Sequence, residues 1–128
     1  MRRLLEILGF VVLFCAACQS VARYGKPVSG NVMEGMATYY ASEFHGKRTA
    51  SGELYDMNKL TAASVDLPLG TRVRVTNLEN HKSVVVRIND RLPKNNKGRI
   101  IDLSLAGARA LEMQALGLVR VRVEVLNP

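Results

Sequence analysis

Residues 119–125 read Val-Arg-Val-Arg-Val-Glu-Val, so apolar and charged side chains alternate without a break. Successive side chains on a strand point to opposite faces, and this pattern is what a strand with one buried and one wet face requires. A helix would scatter the valines around its circumference. The same alternation runs through Arg72-Val73-Arg74-Val75-Thr76, and Ser83 to Ile88 returns with Val84, Val86 and Ile88 on one face. Between them Asn77-Leu78-Glu79-Asn80-His81-Lys82 reads as a turn, which makes the pair a hairpin. Met36-Ala37-Thr38-Tyr39-Tyr40-Ala41 is a further expected strand. One helix is expected after Ser104, a good N-cap, with Leu105, Ala108 and Leu111 at helical spacing and Gly117 beyond its end. Short strands with one helix and no strand–helix–strand rhythm predict a mainly β fold, a small closed barrel.

The N-terminus has a different character. Met1-Arg2-Arg3 is basic, and Ile7 to Ala17 is an uncharged run of 11 residues, too short to span a bilayer but suited to a signal peptide. It ends in Cys15-Ala16-Ala17-Cys18, which resembles a lipobox, the site at which a lipid-modified cysteine becomes the new N-terminus. Residues 1–17 are thus expected to be a lipoprotein signal peptide and Cys18 the lipidated residue. Both cysteines lie in this segment, so the domain that follows must hold together by packing alone. Residues 18–34, with Gly25, Pro27, Ser29 and Gly30, read as a flexible tether, and 35–128 as one domain. The expected location is the cell envelope, on a membrane surface facing the periplasm. Gln19, with no aspartate there, points to the outer membrane.

Without Arg2, Arg3 and Glu6 the remaining chain keeps a formal charge of +6. The basic residues are dispersed and the chain is expected to be exported, which argues against nucleic acid as a partner and for anionic wall polymers. His45 and His81 lack the spacing of metal ligands, and no phosphate loop or serine elbow is present, so no metal or cofactor is expected.

Four of the five aromatic residues beyond Cys18 (Tyr39, Tyr40, Phe44 and Tyr55) fall within residues 39–55. Aromatic faces stack on sugar rings, and tyrosine adds a hydroxyl. Glu53 follows Ser51-Gly52 in a loop, and Asp90 stands where an apolar strand gives way to Arg91-Leu92-Pro93. Paired carboxylates across a cleft are the equipment for cleaving glycosidic bonds, although an Asn-Asp before proline is also an ordinary turn. Asp102 reads as a structural partner for a nearby N–H or arginine.

Residues 35–40, 44–53, 61–63, 67–71, 73–78, 86–91 and 99–104, in that order, together resemble the rare lipoprotein A (RlpA) family. The resemblance implies a six-stranded double-psi β-barrel with one or two short helices. It also implies a lytic transglycosylase acting within peptidoglycan glycan strands, preferring strands without stem peptides and leaving 1,6-anhydro ends. The family's catalytic pair falls on Glu53 and Asp90, with Asp90 the expected acid. Tyr39, Tyr40, Thr49, Ser64 and Arg91 are the expected substrate contacts. Where Ser64 stands the family often has histidine, and serine cannot carry a proton near neutral pH. An expansin-like module that binds wall glycan without cutting it is the alternative.

Overall fold

A computed structural model describes residues 31–40, 42–96 and 98–126. The expected signal peptide and Cys18 lie outside these residues. Six strands form the domain: β1 (Val32–Tyr39), β2 (Thr61–Ser64), β3 (Arg72–Asn77), β4 (Ser83–Arg91), β5 (Arg99–Leu103) and β6 (Val119–Val125). A 3₁₀ turn (Ser42–Phe44) and one helix, α1 (Leu105–Ala110), complete it. The strands close into a barrel in the order β1-β5-β2-β4-β3-β6. Closure pairs every edge, which suits a small β domain without disulfides.

The alternating segments fold as their pattern demands. In β6 Val119, Val121 and Val123 are buried and Arg120 is exposed. β3 and β4 form the expected antiparallel hairpin, with Val73 opposite Val86 and Val75 opposite Val84. His81 closes its turn at φ 64°. The core is built from Val73, Val75, Val86, Ile88, Ile101, Leu103, Val119, Val121 and Val123, with Ala108, Leu111 and Met113 closing it from the α1 side. Ser104 caps α1 as expected, its Oγ accepting from Gly107 N at 3.2 Å. Asn77 is buried yet satisfied: its Nδ2 donates to the Leu111 carbonyl at 3.1 Å, and its Oδ1 accepts from Glu79 N at 2.9 Å.

Two departures from the pattern have a common cause. β1 starts at Val32, not Met36, so residues 32–34 of the expected tether are strand, paired antiparallel with β6 (Val32 opposite Glu124, Gly35 opposite Val121). β2 carries no alternation because burial on both sides removes it: Thr61, Ala62, Ala63 and Ser64 are all buried. β2 runs parallel to β4 and β1 parallel to β5, pairings that join strands far apart in sequence. These buried strands bring Asp90 and Asp102 to either side of β2.

Candidate active site

The loop from Tyr40 to Leu60 folds back across the end of β4. Its tip is a small hairpin: Thr49 N donates to the Glu53 carbonyl at 2.8 Å and Tyr55 N to the Lys47 carbonyl at 2.7 Å. Gly52 turns the tip at φ +89°, a conformation that side chains disfavour. The tip docks on β4 through Ser51 N to the Asn89 carbonyl (3.1 Å) and Ala50 N to Asp90 Oδ1 (2.9 Å).

Asp90 is the centre of this arrangement. Its Oδ1 accepts from Ala50 N and Arg91 N, both at 2.9 Å, and its Oδ2 accepts from the Tyr40 hydroxyl at 2.8 Å. Tyr40 packs edge-on against Tyr55, with centroids 5.0 Å apart, and tilted against Phe44 at 5.9 Å. Burial first, then the bond to Asp90, pushes the Tyr40 hydroxyl well above the usual tyrosine range, so it stays a donor. Tyr40, Phe44, Lys47, Arg48, Thr49, Tyr55 and Asp90 line a cavity of about 140 Å³. Lys47 Nζ sits 5.1 Å from the centre of the Phe44 ring, a cation–π contact at its rim.

Glu53 has another partner. Arg87 clamps it with two bonds, Nη1 to Oε1 at 2.5 Å and Nη2 to Oε2 at 2.9 Å, while Ser51 Oγ donates to Oε1 at 3.1 Å. The Arg87 hydrogen bonds are the main reason that the Glu53 carboxyl is pulled down from 4.5 to about 2. Glu53 is therefore charged near neutral pH. It lines a second depression, of about 340 Å³, with His45, Gly46, Leu54, Tyr55, Asp56 and Lys59. Tyr55 lines both depressions. The expected pair thus lines two depressions, Asp90 the first and Glu53 the second, with Tyr55 common to both.

The expected substrate contacts divide. Tyr40 and Thr49 line the Asp90 cavity, with the Thr49 hydroxyl held by Ser51 Oγ and the Glu53 carbonyl, both at 2.9 Å. The other three line neither depression and have partners within the chain. Tyr39 donates its hydroxyl to the Gln114 carbonyl at 3.0 Å and packs against the core. Ser64 is buried, and its Oγ accepts from Leu67 N at 3.1 Å, which closes the turn after β2. Arg91 donates Nη1 to the Leu67 carbonyl at 2.5 Å, and its link to Asp90 is through the main chain. His45 is likewise engaged, its Nδ1 accepting from Met57 N at 3.1 Å. Sequence reasoning passed over Arg87, whose only trace was its outward position in an alternating strand, and Asn89, a buried residue whose carbonyl holds the loop tip through Ser51 N. Asp102 pairs with Arg99 at 3.4 Å, the structural role expected of it.

A closed six-stranded barrel in the order β1-β5-β2-β4-β3-β6, with β1 parallel to β5 and β2 parallel to β4, is a double-psi β-barrel domain, and Asp90 lines an aromatic cleft on it. The chain belongs to the RlpA family of such domains: the family described as "Lytic transglycolase" matches residues 32–123. It is 52% identical over 93 residues to the probable endolytic peptidoglycan transglycosylase RlpA of Synechocystis sp., covering 73% of this chain and 29% of that protein. It is 51% identical over 96 residues to the endolytic peptidoglycan transglycosylase RlpA of Pseudomonas aeruginosa, covering 75% of this chain and 28% of that one. The chain spans less than a third of the length of these relatives. Among solved structures, the Streptomyces papain inhibitor superposes with a TM-score of 0.61 at 24% identity, covering 77% of this chain and 96% of that one. An expansin of Clavibacter michiganensis in complex with cellohexaose gives 0.60 at 18% identity, covering 75% and 50%. These two likenesses speak for the fold alone.

Proposed function

We propose that this domain is an endolytic lytic transglycosylase that cleaves the bond between N-acetylmuramic acid and N-acetylglucosamine in peptidoglycan, with Asp90 as its acid. The observation that carries this reading is the Asp90 site: a carboxyl lining an aromatic cleft, held by Ala50 N and the Tyr40 hydroxyl. Two N–H groups occupy Oδ1, so Oδ2 is the oxygen that presents the proton.

In the first step Asp90 transfers that proton to the glycosidic oxygen, and the C1–O bond breaks with positive charge developing on the muramic ring. The C6 hydroxyl of the same ring then attacks C1 and returns its proton to Asp90. The product carries a 1,6-anhydro ring, and the acid is restored without water. Tyr40, a permanent donor, stabilises the Asp90 carboxylate between the two proton transfers. Glu53 is paired with Arg87 and lines the neighbouring depression, so its charge is largely compensated. With its carboxyl at about 2, Glu53 is a poor base and a poorer acid, which leaves both proton transfers to Asp90.

Denuded glycan strands, incubated with the full chain in detergent, are expected to acquire 1,6-anhydro ends detectable by mass spectrometry. Asp90→Asn should lower their release by roughly 10²–10⁴-fold, the usual contribution of a general acid. Strand binding with no release by either protein would favour the expansin-like alternative, for which the engagement of Glu53 by Arg87 is the supporting observation. Lipid attachment at Cys18, and with it an outer-membrane location facing the periplasm, belongs to the same reading. Incorporation of labelled fatty acid that is lost in Cys18→Ala tests it.

A further inference from the structure

The Asp90 cleft is one end of a longer surface. Along β1 Ala37 is fully buried and Tyr39 packs against the core, so Met36 and Thr38 are left on the outer face. Tyr40 continues that outer row, its N donating to the Leu103 carbonyl at 2.9 Å just past the end of β1, and it lines the Asp90 cleft. Met36, four residues back and about 13 Å away along the strand, lines a separate cavity of about 410 Å³ with Asn95, Asn96, Arg99 and Leu118. Thr38 lies between the two, and its Oγ1 accepts from Arg99 Nη1 at 3.1 Å. One outward row of side chains thus joins the cavity to the cleft, over more than the length of one sugar ring.

The walls of this cavity differ in chemistry. Met36 and Leu118 are apolar, and Leu118 is 49% exposed. Asn95 and Asn96 bring side-chain amides, which both donate and accept. Arg99 supplies a positive charge, and no carboxylate stands in the lining. The Arg99 Nε donates to the Asn96 carbonyl at 3.3 Å, and its Nη1 donates to Thr38 Oγ1 and, at 3.4 Å, to Asp102 Oδ1. Those bonds engage three of the five donors of a guanidinium, and the two on Nη2 have no partner among the described residues. The guanidinium is therefore held in place by the chain with one edge unused, which lowers the ordering cost of binding an anion there.

We infer that this cavity is a second glycan subsite, which takes a muramic acid residue away from the bond at Asp90 and holds its lactyl carboxylate on Arg99 Nη2. The inference rests on the reading of the domain as one that acts on peptidoglycan strands. Muramic acid carries every group that the walls fit. Its ring face and acetyl methyl suit Met36 and Leu118, its hydroxyls and acetamido group suit Asn95 and Asn96, and its carboxylate suits Arg99. N-acetylglucosamine lacks the anion. Because the two sugars alternate along the strand, fixing one muramic residue in the cavity fixes which of the two kinds of linkage lies at Asp90. Arg99 is in this sense a specificity residue that sets the register of the strand.

The test compares two ligands on a chain whose acid has been removed. The full chain carrying Asp90→Asn, in detergent, is titrated calorimetrically with denuded glycan strands. It is then titrated with the same strands after their lactyl carboxylates have been coupled to methylamine, which removes the charge and leaves the sugars. Free strands should bind about 10-fold more tightly than amidated ones, the lower end for a hydrogen bond to a charged group. Arg99→Gln on this background should abolish the preference. Leu118→Glu, a charge introduced at a half-exposed position, should cut it roughly three-fold, and it decides alone if Arg99→Gln fails to fold. Equal affinity for the two ligands before either substitution overturns the inference. So does a preference that survives either one, even where affinity for both ligands falls alike, since that would give Arg99 a purely structural role. If the wild type released no anhydro ends, the proposed cleavage would fall, while the binding comparison would still decide the subsite.

Discussion

Replacing Arg87 by methionine separates the charge of Glu53 from its position. Methionine preserves most of the apolar stem of Arg87 and removes both bonds to the carboxylate, at 2.5 and 2.9 Å. In the wild type Glu53 titrates at about 2 against an ordinary value of 4.5, and the Arg87 hydrogen bonds are the largest cause. At pH 3.5 a carboxyl with a midpoint of 2 is about 97% ionised, whereas one at 4.5 is about 9% ionised. The Ser51 hydroxyl still donates to Glu53 in the variant, so its midpoint should rise toward 4.5 and stop short of it. The folded-state value is depressed, so the pair's contribution to stability is complete above about 4.5. It is lost as pH falls toward 2. With the Arg87 and Glu53 side chains 40% and 37% exposed, that contribution is about 0.5–1 kcal/mol, the upper end for a solvent-screened pair. Urea unfolding at pH 6, 4 and 3 should show Arg87→Met less stable than wild type by this amount at pH 6, and the gap narrowing to roughly half or less by pH 3. The carboxyl carbon of Glu53, followed by NMR, gives the midpoint directly. A Glu53 that still titrates near 2 in Arg87→Met would show that the loop, and not the guanidinium, holds its charge, and would refute the account.

Three further substitutions have definite outcomes. Tyr40→Phe removes the hydroxyl 2.8 Å from Asp90 Oδ2 but keeps the ring packing, so release of anhydro ends should fall about 10–100-fold with the melting temperature little changed. Leu111→Ala empties a fully buried position where α1 meets the barrel, and chemical denaturation should register a loss of about 2–5 kcal/mol. Gly35→Ala would place a Cβ 2.6 Å from Ile100 Cγ2, a stiff β-branched neighbour, and should cost about 1–2 kcal/mol in the same assay. Adding Ile100→Ala to Gly35→Ala should leave no extra penalty for the new methyl, which a double-mutant cycle would measure.

Legibility from sequence followed solvent exposure. β3, β4 and β6 each keep one wet face, so their charged and apolar residues alternate and can be read directly, as can the Ser104 cap of α1. β2 is buried on both sides and β1 begins among glycine and polar residues, so neither the strand at Thr61–Ser64 nor the start at Val32 has a local signature. The aromatic cluster and the two carboxyls were visible as composition and position. Their partners were not.

Local pattern by itself determined that this chain forms a β-rich domain, where most of its charged faces lie, and which segment carries its polar chemistry. Barrel closure decided the rest, because hydrogen bonds between strands distant in sequence obey geometry and not periodicity. It gave Asp90 the Tyr40 hydroxyl, gave Glu53 to Arg87, drew Ser64 and Tyr39 into the scaffold, and set Asp102 behind Ala63. Which carboxyl can carry a proton depends on those partners, and partners fifty residues apart along the chain, as Tyr40 and Asp90 are, become neighbours only when the barrel closes.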